Sequence, residues 1–190
     1  MVPSYREAAY ALYGSWRLAL LDRQGTNCFL DTPDAVIRSF FAAVLVAPPY
    51  FILLLLHLSE LRLQADFLSV LLIELLVYAI SWLVFPVAAI ALAEPMGFRP
   101  TLWRFLVAYN WTKVLQTLFY LPLALLAASN ALPDDLGGAV SAVGAVLVLI
   151  YSWYVTKVTA AVSGPAAALL VGIDLVLSVL LTGFADGRIA

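Results

Sequence analysis

TLWRFLVAYNWTKVLQTLFYLPLALL, residues 101–126, is apolar enough to cross a bilayer and yet carries a polar stripe. Tyr109, Lys113, Gln116 and Tyr120 stand at i, i+4, i+7 and i+11. At about 100° per residue these four fall within one sixth of the helix circumference, with Asn110 and Thr117 on the flank. Val107, Trp111, Leu115, Leu118 and Phe119 take the opposite side and read as a lipid-facing surface. Lipid offers no hydrogen bonds, so such a seam must turn toward other helices or a wet cavity. The rest of the chain reads as what surrounds it.

Composition agrees. Of 190 residues 64% are hydrophobic and 12% charged, where a soluble domain carries about a quarter charged residues. A net charge of −2 leaves no electrostatic footprint for nucleic acid, and none is expected as a partner. One cysteine, Cys28, excludes an intrachain disulfide and a thiolate metal cluster. One histidine, His57, excludes multi-histidine metal sites, so neither metal nor cofactor is expected. The N-terminus lacks a continuous apolar stretch, and no cleavable signal peptide is expected.

The expected fold is all-α: a polytopic membrane protein of five transmembrane helices with an N-terminal interfacial amphipathic helix. Residues 1–32 form a cytoplasmic helix and loop, and residues 33–190 the five-helix domain. In residues 4–22, Tyr5, Ala8, Ala9, Leu12, Trp16 and Leu20 share one face, with Arg6, Glu7, Gly14 and Arg17 elsewhere. That pattern fits a helix lying in the membrane interface or one packed on the protein's own surface. Asp31-Thr32-Pro33-Asp34 is a helix start, with Thr32 or Asp31 as cap. The spacing predicts crossings at about 36–58, 67–93, 101–128, 139–162 and 165–184, each long enough for about 30 Å of hydrocarbon. Pro48-Pro49 should kink the first. Residues 59–66 read as a polar turn and 130–138, NALPDDLGG, as another. Gly137, Ser141 and Ala145 permit close backbone approach on the fourth helix. Five crossings without an internal repeat argue against an inverted-repeat transporter.

Arg6, Arg17, Arg23, Arg38, Arg99, Arg104 and Lys157 lie on the N-terminal side, against Arg62 and Arg188 on the other. The excess of positive charge predicts a cytoplasmic N-terminus and a C-terminus on the opposite side. At 1.5 Å per residue Lys113 then sits about 17 Å and Asp174 about 14 Å below that surface. Either charge alone in lipid costs roughly 3 kcal/mol or more, so a Lys113–Asp174 pair is expected. Lys157 either snorkels to the interface or competes for Asp174. Glu74, with Tyr78 and Ser81 on its face, has no obvious basic partner. Lys113, Asp174, Gln116, Asn110, Tyr109 and Glu74 thus form a candidate polar centre. They either line a path or pocket for a polar ligand or pin the helices together. Trp103, Arg104, Tyr109 and Trp111 match Tyr151, Trp153, Tyr154 and Lys157 in depth. Trp103, Arg104, Trp153 and Lys157 could hold an anionic lipid headgroup, or the set forms an ordinary interfacial belt.

No phosphate loop, HExxH, CxxC, GxSxG or EF-hand pattern occurs, and no nucleophile has a credible base. No enzymatic activity is expected. His57 and Glu60, three apart, read as solvated rather than as metal ligands, and Cys28 as a small packing group.

Met96-Gly97 through Trp103-Arg104-Phe105, Tyr109 and Leu121-Pro122 resembles the second loop and third helix of the Yip family of Rab-interacting membrane proteins and its bacterial relatives. The stretch from Trp153 to Asp174, with Ser163-Gly164 before an alanine-rich last helix, resembles that family's end. The resemblance covers residues 36–184 and implies a non-enzymatic integral membrane protein. The family's DLYGP-like cytoplasmic motif is absent, so Rab binding is not carried over. The expected role is a scaffold, interaction or accessory subunit, with membrane lipids and other membrane subunits as partners. The alternative is a transport or lipid-binding component using the Lys113/Asp174 centre.

Overall fold

A computed structural model describes residues 2–60, 66–128 and 133–189. Among these the regular elements are helices: α1 (Tyr5–Ala19), α2 (Pro33–Ser39), α3 (Phe41–Glu60), α4 (Phe67–Ala93), α5 (Leu102–Ala128), α6 (Asp134–Thr159) and α7 (Gly164–Ile189). Short 3-10 turns at Arg23–Cys28 and Arg99–Thr101 precede α2 and α5. Five spans, from Pro33–Leu58 to Gly164–Ile189, are long and apolar enough to cross a membrane. Their outward faces carry exposed Leu55, Leu76, Val87, Leu118 and Leu180.

The first span is two helices. Thr32 Oγ1 accepts from Ala35 N at 3.3 Å and starts α2; the interruption falls at Phe40, and α3 continues through Pro48-Pro49. The prolines leave the carbonyls four residues earlier without their usual donors. The carbonyl of Ala43, one residue before the first of these, accepts from Tyr78 Oη at 2.5 Å. Asp31, a candidate cap for α2, instead accepts from Arg104 N at 3.0 Å and so caps α5. Asp31→Ala is expected to lower stability by about 1 kcal/mol, read as an unfolding midpoint in detergent, while leaving α2 in place.

Several boundaries move. The fourth long helix runs from Asp134 to Thr159, not 139 to 162, with Pro133 at its N-cap. Of the turn expected over 130–138, residues 130–132 lie outside the described residues and the rest is mostly helix. The fifth runs to Ile189, not 184, since Ala185 and Ile189 are buried. In the turn expected over 59–66, Ser59 and Glu60 end α3, and residues 61–65 lie outside the described residues. On α6 the close approach to α5 uses Gly137 and Gly144 rather than Ala145, which is exposed. A Cβ on Gly137 would lie 2.8 Å from the Ala127 carbonyl oxygen, and one on Gly144 2.8 Å from Leu123 Cδ1.

The first half of α5 is the centre of the molecule. Phe105, Leu106, Val107, Ala108, Asn110, Trp111 and Thr112 are all 3% exposed or less. Val107 and Trp111 therefore do not face lipid as the helical wheel implied: α1 and α2 lie against α5 as well as α3 and α6. Only beyond Leu115 does that side open, at Leu118 and Phe119.

The N-terminal helix packs through Ala11, Gly14, Ser15 and Leu18, not through its aromatic face. Tyr5 is 88% and Trp16 53% exposed. Small residues win because α1 and the 3-10 turn meet backbone to backbone. A Cβ on Gly14 would lie 2.6 Å from Cys28 Cβ and 2.9 Å from the Gly25 carbonyl oxygen. The seat is reinforced by Tyr151 Oη to Ser15 O at 2.8 Å, Tyr154 Oη to Leu21 O at 2.6 Å, and an Arg38–Glu7 pair at 2.9 Å. Arg17 pairs with Asp22; the Gln24 N–H and that guanidinium hold the Asp22 carboxyl below its ordinary range.

Candidate functional site

Four residues apart on α5, Tyr109 and Lys113 lie on one face, and both reach Asp174 of α7. Tyr109 Oη donates to Asp174 Oδ1 at 2.8 Å. Lys113 Nζ stands 3.9 Å from Asp174 Oδ2 and 4.4 Å from the Tyr109 ring centroid. At 3.9 Å the ammonium attracts the carboxylate without hydrogen-bonding it. The two side chains retain 26% and 24% of their surface. One turn on, Gln116 Nε2 donates to Ser152 Oγ of α6 at 3.1 Å. Asn110, fully buried, donates to Ser39 Oγ at 2.8 Å, and its Oδ1 has no partner. The seam and its flank therefore contact α2, α6 and α7.

Beside the pair is a hollow of about 400 Å³ to which all five long helices contribute, with Lys113, Gln116 and Tyr120 on one wall and Tyr50, Tyr78 and Trp82 on another. Val46, Leu53, Leu149 and Leu175 make much of the remainder apolar. Behind it, toward α1, a space of about 20 Å³ is lined by Asp174, Tyr109, Gln116, Ser152 and Thr156. That is room for one water with several polar partners. A larger groove of about 560 Å³ under Trp16 and Leu21 is almost wholly apolar and meets the hollow beside Lys113 at a wall made by Gln116 and Val148.

Glu74 of α4 is not in this group. It is 4% exposed and lies 3.5 Å from Tyr50 Oη, a marginal hydrogen bond. Nearby, His57 Nε2 is 3.0 Å from Asp186 Oδ1, joining the far ends of α3 and α7. A void of about 220 Å³ touches Tyr50, His57 and Glu74. Asp186 escaped the sequence reading because it lies past the expected end of the last helix. Its one signal was a charged residue in a helical register. His57 faces Asp186, and among the described residues no three His, Cys, Asp or Glu side chains converge on a metal position.

Some of the aromatic groups near α1 are buried rather than set in an exposed belt. Trp111 is 1% and Tyr154 9% exposed. Trp153 Nε1 donates to the Gly164 carbonyl at 2.9 Å, closing the α6–α7 turn. Lys157 Nζ lies 5.0 Å from the Trp153 ring and does not compete for Asp174. Arg99 sits 5.5 Å over Trp103, and Arg104 Nε is buried without a partner. Packing of α1 and the interhelical turns uses polar atoms that a belt would show to water.

Comparison with family models, with curated proteins and with solved structures finds no match to this chain.

Proposed function

We propose that this is a multi-pass membrane protein, N-terminus in the cytoplasm, that receives the anionic head of an amphiphile at Lys113 and its tail along the central hollow. It acts as a binding or transport component and performs no chemistry. The observation that carries this reading is the placement of Lys113. Its ammonium lies on the wall of a hollow built by five helices, beyond hydrogen-bonding distance of its counter-ion. A charge serving only as a pin is better enclosed, since each unshielded polar atom among apolar groups costs free energy. A mostly apolar hollow with few convergent polar groups is the usual form of a small-molecule site. Asp174, held by Tyr109, balances the lysine when the hollow is empty.

The test is native mass spectrometry of the purified protein with dodecanoate, dodecyl phosphate and dodecanol. The two anions are expected to bind about tenfold or more tighter than the alcohol, the worth of one charge-assisted contact. Lys113→Gln should abolish that difference. Equal retention of anion and alcohol by the wild-type protein, or an unchanged preference in Lys113→Gln, removes the reading.

A second reading, an accessory or scaffolding subunit, is favoured by α1. Tyr5, Tyr10, Tyr13 and Trp16 stand exposed on a helix fixed to the body, and such a surface suits a partner helix or the membrane face. The Yip-family resemblance agrees with either non-enzymatic role. Stable co-purification of a second membrane chain, lost on replacing Tyr5 and Trp16 by serine, would favour it.

A further inference from the structure

The hollow beside Lys113 has two unlike walls. Lys113, Gln116 and Tyr120 of α5 form one, and the rings of Tyr50 on α3 and of Tyr78 and Trp82 on α4 form the other. Both tyrosines of the second wall have their hydroxyls turned to other partners. Tyr78 Oη donates to the Ala43 carbonyl at 2.5 Å, and Tyr50 Oη lies 3.5 Å from Glu74 Oε2. Ser81 Oγ donates to the Tyr78 carbonyl and Thr117 Oγ1 to the Lys113 carbonyl, each at 2.8 Å. Gln116 Nε2 is taken by Ser152 Oγ. Among the described residues, the polar groups left to a guest are the Lys113 ammonium, the Gln116 carbonyl and the Tyr120 hydroxyl. All three belong to α5. From α3 and α4 a guest meets ring surface and aliphatic groups.

The rings are fixed before any guest arrives. Tyr78 stands among them, its centroid 4.5 Å from that of Tyr50, 6.0 Å from Phe51 and 6.2 Å from Trp82. Trp82 is 5% exposed, and Tyr50 and Tyr78 are half-buried. A saturated tail gains from such a wall by burial alone, which leucines would provide as well. An aromatic guest gains in addition from edge-to-face or offset contact with the rings. Their order was imposed at folding, so binding does not bear its entropy cost. The hollow holds about 400 Å³, near the low end of the roughly 300–1,000 Å³ usual for ligand pockets. The ring wall therefore lies within one small molecule's length of the ammonium.

We propose that the ligand of this hollow is an aryl anion. Its acidic head meets Lys113, the aromatic ring joined to that head rests on Tyr50, Tyr78 and Trp82, and any alkyl chain follows. This narrows the amphiphile reading to one chemical class and rests on it for the anchor at Lys113.

The test compares para-octylbenzoate with its saturated-ring analogue, trans-octylcyclohexanecarboxylate, by native mass spectrometry of the purified protein. Both acids are ionised at neutral pH. They have equal numbers of carbons, and the saturated ring is no less hydrophobic, so burial gives the benzoate no advantage. The wild-type protein should bind the benzoate about fivefold more tightly, the equivalent of one good ring contact. Trp82→Leu and Tyr50→Leu should each bring that ratio toward one. The corresponding alcohols should show the same ratio at lower affinity. Equal binding of the two acids by the wild-type protein overturns the inference. So does a ratio unchanged in both leucine variants when they elute as single species. A preference for both acids over their alcohols, lost in Lys113→Gln but without any ring preference, would keep the anchor and sink the aryl class. A ring preference with acids and alcohols bound alike would instead sink the anchor and leave a neutral aryl ligand.

Discussion

Lys113→Leu is expected to destabilise the protein by about 3 kcal/mol, and adding Asp174→Asn to restore at least half of that loss. Removing one member of a desolvated ion pair leaves the other uncompensated, which costs roughly 3–5 kcal/mol when burial is complete. Here a quarter of each side chain is open, so the lower figure applies. Asp174 keeps the Tyr109 hydroxyl at 2.8 Å, and an asparagine carbonyl can keep it too. The double variant therefore lacks a charge but not a hydrogen bond. Unfolding titrations of the four proteins in one detergent give the coupling. Additive losses, with no interaction energy beyond about 0.5 kcal/mol, would mean that the two groups do not sense each other.

Gly14→Val is expected to unseat α1, at a cost of about 3 kcal/mol, the upper range for forcing extra carbons into a packed site. The first added carbon already meets Cys28 Cβ at 2.6 Å and a backbone oxygen at 2.9 Å. Neither is the end of a flexible side chain that can swing away. Trypsin cleavage after Arg17 and Arg23 should accelerate about a hundredfold, the ratio equivalent to that energy, while the five long helices stay assembled. An unchanged cleavage rate would show that the helix is held by its tyrosine and arginine contacts alone. Gly138→Ala makes the contrast: among the described residues no atom lies within 4 Å of its added carbon, and in a helix it should stabilise by about 0.5–1 kcal/mol.

The polar centre divides into a legible part and an illegible one. Tyr109, Lys113 and Asp174 were readable together because two opposite charges at similar depth have few alternatives to meeting. Gln116 and Asn110 were readable as inward-facing, but their partners Ser152 and Ser39 were not, as serines are common and carry no depth signal. His57 and Asp186 went unpaired for a different reason. Each stands near a helix end, where solvent is as good a partner as a neighbour, so nothing local demands that they meet. The aromatic residues around Trp111 and Tyr154 misled because a belt and a packed layer use the same residue types.

By itself the sequence determined five long apolar helices, their order and the polar face of α5. The transfer free energy of each segment is a local sum over its own side chains. Which helices adjoin, that α1 covers α5, and that a hollow lies beside Lys113 were decided only by the tertiary structure. Helix surfaces as apolar as lipid gain nothing from burial as such, and small differences in interlocking choose the neighbours. Those differences reside in the shapes of pairs such as Gly14 with Gly25 or Gly144 with Leu123, which no single segment contains.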